Sequence, residues 1–255
     1  CKRDFFDLPD PNGINSDIWN DAGAVKQYLD KGYDLMMPQW PTPGGTSTAA
    51  IHNTSDEMNS ANTTFLYGTL TDNGVTDIGT GNTITTNRYF DIRRCNTAIE
   101  GLNSGNLDDA NKAILKGQFF FLRAMTYFNM VRLYGGVPLV LKAQDLVGEE
   151  LNVPRAKTSV CIEQIVKDLD SAGAYLPKSW GSADKGRVTK PAAYALKGKV
   201  LMYWASPQFN PTNDAARWER AYTANKEAYD TCVASSVALY SVYANIFTVE
   251  DNSEI

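Results

Sequence analysis

The run Gly117-Gln118-Phe119-Phe120-Phe121-Leu122-Arg123-Ala124-Met125-Thr126-Tyr127-Phe128-Asn129-Met130-Val131-Arg132-Leu133-Tyr134 ends at Gly135-Gly136 and Pro138, and its reading decides the fold class. It carries no internal proline. Extended back to an Asp108 N-cap, it predicts a helix over 109–134. Leu115, Phe119, Leu122, Met125, Val131 and Leu133 nearly encircle that helix, and a helix that is apolar on most sides is buried among neighbours. Gly135-Gly136 stops it, Pro138 prevents its resumption, and 137–141 reads as a short strand or an extended piece.

Outward from this helix the chain keeps a helical pattern. Upstream, Tyr89, Ile92, Cys95, Ile99 and Leu102 share one face of a helix starting at Asn87, with Gly101 and the Asn103-Ser104-Gly105-Asn106 turn as its expected end. Further upstream, Asp21 caps a helix to about Met37, with Val25, Tyr28, Leu29, Gly32 and Met36 on one face. Downstream, Thr158 is the expected cap of a helix carrying Ile162, Ile165, Val166 and Leu169, which ends near Leu176-Pro177. Thr189, with Pro191 in the first turn, starts a helix to Ala205, and Ala192, Ala193, Ala195 and Gly198 allow its neighbours close. Asn213 or Asp214 opens a last helix with Trp218, Tyr222, Tyr229 and Cys232. Successive helix pairs predict a mainly α protein, an irregular tetratricopeptide-like helix-pair solenoid without a regular repeat period.

The stretch 38–87 breaks the pattern. It is rich in Pro, Gly, Thr and Asn without a sustained period, yet it carries Trp40, Phe65, Leu66 and Tyr67. Long aperiodic segments in compact chains are either disordered or functional, and these apolar residues favour an ordered loop excursion from the helical body.

Composition bounds the function. The chain has 255 residues and a net charge of −5 with 24 dispersed basic residues, which argues against nucleic acid as the main partner, while 13 Tyr, 5 Trp and 10 Phe are usually core and favour ligand binding only weakly. No stretch matches a membrane-spanning helix and mean hydropathy is −0.32. Cys1 precedes a polar, partly acidic stretch, which reads as a lipidated tether over 1–20 ahead of a body over 21–255. Cys95, Cys161 and Cys232 fall at apolar helical positions, form no metal-type pair and are expected as buried thiols. His52 is the only histidine and has no sequence-local partner for a metal site, so it reads as a solvated loop residue, no metal ligand is assigned and no cofactor is expected. Arg93 and Arg94 lie on different helix faces, and one is expected in a buried ion pair while the other snorkels. Acidic residues are numerous, but no pair is singled out for glycoside cleavage, and no nucleophile-elbow, zincin or phosphate-loop motif is present, so an enzyme is not expected.

An ordered set of motifs resembles one family. Tyr89-x-x-Ile92-Arg93-Arg94-Cys95-Asn96, Gly117-x-x-x-Phe121-Leu122-Arg123-Ala124-x-x-Tyr127-Phe128, Leu133-Tyr134-Gly135-Gly136-Val137-Pro138-Leu139 and Gly186-Arg187-Val188-Thr189-Lys190-Pro191-Ala192-Ala193-x-Ala195-Leu196, with Trp218, are similar to the RagB/SusD, or SusD-like, outer-membrane nutrient-binding lipoproteins. The resemblance implies a helical scaffold that contacts a SusC-like TonB-dependent transporter, a lipid anchor at Cys1, a location on the outer-membrane surface, and a glycan as ligand. Transport of peptides by some related systems is the alternative, as is a scaffold that binds only protein. Because family members are about twice this length, the resemblance also implies that these residues correspond to an N-terminal half, with the C-terminal half absent.

A sugar offers an apolar C–H face to an aromatic ring and hydroxyl edges to carboxylates and amides, and the 38–87 excursion mixes those residue types. Trp40, Asp56, Glu57, Asn59 and Tyr67 are its candidate ligand-binding residues, joined by Asn62. Asp56 resembles an acidic position that the family places near its ligand. Each has a structural alternative. Trp40 sits among Pro38, Pro41 and Pro43 and either faces the ligand or pins the loop, while Asp56-Glu57 either contact ligand or cap a helix.

Overall fold

A computed structural model describes residues 16–37, 87–144, 151–243 and 246. Among them are six α-helices: α1 (Ala22–Met36), α2 (Arg88–Ser104), α3 (Asp109–Tyr134), α4 (Thr158–Tyr175), α5 (Lys190–Ala205) and α6 (Ala215–Val233). A 3₁₀ turn over Ser16–Asn20 precedes α1, and another at Ser182–Asp184 lies between α4 and α5. Each helix from α2 onward packs chiefly on the next, and α1 covers α2 and α3. This is the mainly helical succession that the periodicity predicts.

Side-chain caps set most helix starts. The carboxylate of Asp21 accepts from the backbone N–H groups of Gly23 and Ala24, Asp108 accepts from Asn111, Thr189 from Ala192, and Asp214 from Ala216. Each satisfies a donor that the first helical turn leaves without a partner. Helix α4 departs from expectation. Thr158 is its first residue, and Lys157 occupies the cap position with no side-chain bond. The Thr158 hydroxyl instead lies beside Gly135, whose φ of +71° ends α3 in a conformation that glycine adopts without penalty.

Gly101 does not end α2, which continues to Ser104. A side chain at Gly101 would overlap the Trp19 indole, so its lack of a side chain serves packing. Trp19 is buried there and meets Tyr28 edge-on, with ring centroids 5.5 Å apart. The core runs from Trp19 through Leu29, Ile92, Phe119, Leu122, Tyr127, Ile165 and Leu169 to Leu201. Leu133, expected on the apolar girdle of α3, is exposed. Cys95 and Cys161 are buried thiols as expected, but Cys232 is only half-buried because α6 buries the face marked by Ala221, Ala224 and Ala228. The small residues of α5 act as predicted at Gly198, where the Asn225 amide of α6 donates to the Gly198 carbonyl at 3.1 Å.

Candidate functional site

The motif residues converge on a buried polar seam. Arg123 of α3 donates to Asp168 of α4 from Nε and from Nη2, each at 2.7 Å, and donates from Nη1 to Asn96 Oδ1 of α2 at 2.8 Å. Gln164 adds a bond to Asp168 Oδ1 at 2.9 Å. Burial lowers the Arg123 pKa while Asp168 raises it, and the balance lies above the ordinary arginine value. The charge is thus retained in the interior, where an unpaired ion would be costly.

From this seam the protein holds an extended strap over 136–144. Asn96 Nδ2 donates to the carbonyls of Val140 and Lys142, at 2.9 and 3.0 Å. The Tyr127 hydroxyl donates to the Val140 carbonyl at 2.9 Å and accepts from the Val140 N–H at 2.8 Å. Tyr89 donates to the Pro138 carbonyl at 3.0 Å, Glu100 accepts from the Ala143 N–H at 3.1 Å, and Arg93 donates to the Gln144 carbonyl. The only bridge pairing of the strap with another extended segment among the described residues joins Pro138 and Arg155, so it is an extended piece whose backbone is satisfied largely by side chains. Burial pushes the Tyr89 hydroxyl up to about 12 and keeps it a neutral donor.

Between the strap and the first turns of α2 lies a cleft of about 190 Å³, lined by Asn87, Tyr89, Phe90, Arg93, Val140, Lys142 and Gln144. Phe90 is 42% exposed, and Arg93 and Lys142 are also exposed. Its wall offers an aromatic face, two cations and amides, a combination suited to a polar ligand with an apolar face. Sequence reading missed this site because α2 and the strap meet only in the fold. A larger groove of about 440 Å³ between α4, α5 and α6 is less suited to a ligand, since its cations are already matched. Lys197 lies 2.7 Å from Asp170 and 3.0 Å from Glu227, and Arg220 pairs with Glu163.

The candidates Trp40, Asp56, Glu57, Asn59 and Tyr67, the neighbouring Asn62, His52 and the anchor residue Cys1 all lie outside the described residues. Met37 and Asn87, which flank the excursion carrying the loop candidates, are described, and Asn87 lines the cleft. The expected ion pair of Arg93 or Arg94 is not seen among the described residues. Arg93 binds the strap, Arg94 lies 4.7 Å from the Tyr28 ring centroid, and the buried ion pair belongs to Arg123. Among the described residues Arg93 is met by a carbonyl and Arg94 by a ring, in place of a paired carboxylate.

The SusD-like family model described as "Starch-binding associating with outer membrane" matches residues 4–202. A SusD-like protein of Bacteroides ovatus is 28% identical over 61% of this chain and 27% of its own length. SusD-like protein P25 of Formosa agariphila is 32% identical over 45% of this chain and 22% of its own. Among solved structures, a SusD-like protein of Bacteroides fragilis aligns with a TM-score of 0.68 and 30% identity, covering 86% of this chain and 40% of that one. The chain thus spans about a quarter of the length of the curated relatives it matches. With the family model matched across most of the sequence and the helical body shared with a solved member, this chain belongs to the SusD-like family.

Proposed function

We propose that this chain is part of a glycan-binding lipoprotein that captures oligo- or polysaccharide at the cell surface and delivers it to a SusC-like TonB-dependent outer-membrane transporter, without cleaving it. The family match over residues 4–202, with its description of starch binding at the outer membrane, carries this reading. The anchor in this reading is an acyl group on Cys1, as the resemblance to lipoproteins implies. The helical body supplies a rigid wall, and recognition is assigned to the excursion with Trp40, Asp56, Glu57, Asn59 and Tyr67 and to the adjoining cleft.

Affinity electrophoresis of the full chain through gels carrying different polysaccharides tests the binding step. Retardation by at least one glycan, with the polymer recovered uncut, supports the reading. Retention of peptides alone, or of no ligand while a transporter still co-purifies, would replace it with peptide capture or a protein-only scaffold.

A further inference from the structure

The charge of the cleft beside α2 is opposite to that of the chain. The protein carries a net charge of −5, yet the two ionised side chains lining the cleft, Arg93 and Lys142, are both cationic, and no carboxylate lines it among the described residues. The two acids of α2 are engaged elsewhere. Asp91 is buried and pairs with Arg88 at 3.1 Å, and Glu100 accepts from the Ala143 N–H. Lys142 holds its place because its own carbonyl is gripped by Asn96, and Arg93 spends one N–H on the Gln144 carbonyl, a neutral acceptor, with no carboxylate paired to it among the described residues. Phe90, one helical turn from Arg93, lines the same cleft with a partly exposed ring.

Resting on the glycan-binding reading above, we infer that this cleft is an anion-selective subsite, and that the glycan taken by this protein carries acidic sugar units, uronates or sulfate esters. The ring of Phe90 receives the C–H face of the sugar, and Arg93 and Lys142 pair with its carboxylate or sulfate oxygens through charge-assisted hydrogen bonds. A neutral sugar of the same size keeps the ring contact and hydrogen bonds to its hydroxyls but gains no charge pairing. Arg93 stands on α2 and Lys142 on the strap, so the Asn96 and Tyr127 bonds that clamp the strap also preserve the spacing of the two cations.

The test is calorimetric titration of the full chain with a galacturonan oligosaccharide, a sulfated galactan oligosaccharide and a neutral maltooligosaccharide of equal length. The inference expects at least one acidic ligand to bind about tenfold or more tightly than the neutral one. Lys142→Gln, a change at an exposed side chain, should remove most of that preference, as should Arg93→Gln, while Arg93→Lys retains part of it. The uronate and sulfate arms distinguish the two sources of negative charge. Equal or better binding of the neutral ligand, or an acidic preference untouched by Lys142→Gln in a protein of unchanged Tm, overturns the anion subsite and leaves glycan capture standing. Binding of none of the three, with no other glycan bound in the gel assay, overturns both.

Discussion

Arg123 and Asp168 face each other across the seam between α3 and α4 in a two-point contact, Nε to Oδ2 and Nη2 to Oδ1, each 2.7 Å long, with both side chains almost fully withdrawn from solvent. Removing one partner strands the other as a buried charge. Arg123→Met is expected to destabilise the chain by about 3–5 kcal/mol in urea denaturation, and Asp168→Leu added to it should recover a large part of the loss. A double variant as unstable as the sum of the singles would show that the pair acts through something other than mutual neutralisation.

The Tyr127 hydroxyl closes a reciprocal pair of bonds with Val140. In Tyr127→Phe the Val140 carbonyl keeps its bond from Asn96, while the Val140 N–H loses the hydroxyl that accepts it. One such loss costs about 1–3 kcal/mol, and amide exchange around Val140 should speed up while that in α5 and α6 does not. Uniform acceleration across the chain would mean that the hydroxyl supports the whole body and has no special hold on the strap.

Gly136 and Gly181 form a matched test of packing. A side chain at Gly136 would run into the backbone carbonyl of Ala156, whereas one at Gly181 meets nothing within 4 Å. Gly136→Ala should therefore cost about 3 kcal/mol, near the upper end for overpacking. Gly181 has an ordinary φ of −68°, so Gly181→Ala should be neutral or stabilising by up to about 1 kcal/mol. Thermal melts of the two variants decide, and similar losses in both would refute the packing argument.

Stability should fall on the alkaline side. Burial pushes the Cys95 thiol and the Tyr33 and Tyr89 hydroxyls up to about 12, above their unfolded values of 9.0 for the thiol and 10.0 for the phenols. Below pH 9 these groups are neutral in both states and their contribution is complete. Between the unfolded and folded values the unfolded chain binds fewer protons than the native one, so stability declines as pH rises from 9 toward 12. A Tm measured across that range should drop, and Cys95→Ala should blunt the first part of the drop. A flat profile would show that these groups are more open to water than the structure places them.

Local chemistry explains which parts of this architecture are readable from sequence. Asp21, Asp108, Thr189 and Asp214 each cap a helix within a few residues of themselves, and the sequence places the first three of these starts and narrows the last to Asn213 or Asp214. Gly101 is misread as a helix terminator because Trp19, its reason for being glycine, approaches from a distant turn. The same distance hides the pairing of Arg123 with Asp168 and the grip of Asn96 on the strap, for periodicity reports a residue's face and not what lies opposite. The α2–strap cleft is hidden likewise, since Arg93 and Lys142 meet only after the strap is clamped. The loop candidates rest on composition and resemblance, and lie outside the described residues.

Those candidates carry their own prediction. Trp40→Ala or Tyr67→Ala should weaken glycan binding by about tenfold to a hundredfold, the loss expected for one stacking ring by analogy with aromatic stacking on nucleic-acid bases. Asp56→Ala, Glu57→Ala and Asn59→Ala should weaken it through lost hydroxyl contacts, with Tm lowered by no more than a few degrees. The buried controls Phe121→Ala and Leu122→Ala should instead cost about 2–5 kcal/mol of stability. Normal binding by every loop variant would move recognition away from the excursion.

The central claim is capture of a glycan without turnover, and titration of the full chain against a panel of neutral and acidic polysaccharides, with the ligand recovered and sized afterwards, tests it most directly. The account predicts saturable binding of at least one polysaccharide whose length is unchanged at the end. A panel that gives no binding, or a bound polymer that is shortened during the titration, would contradict it.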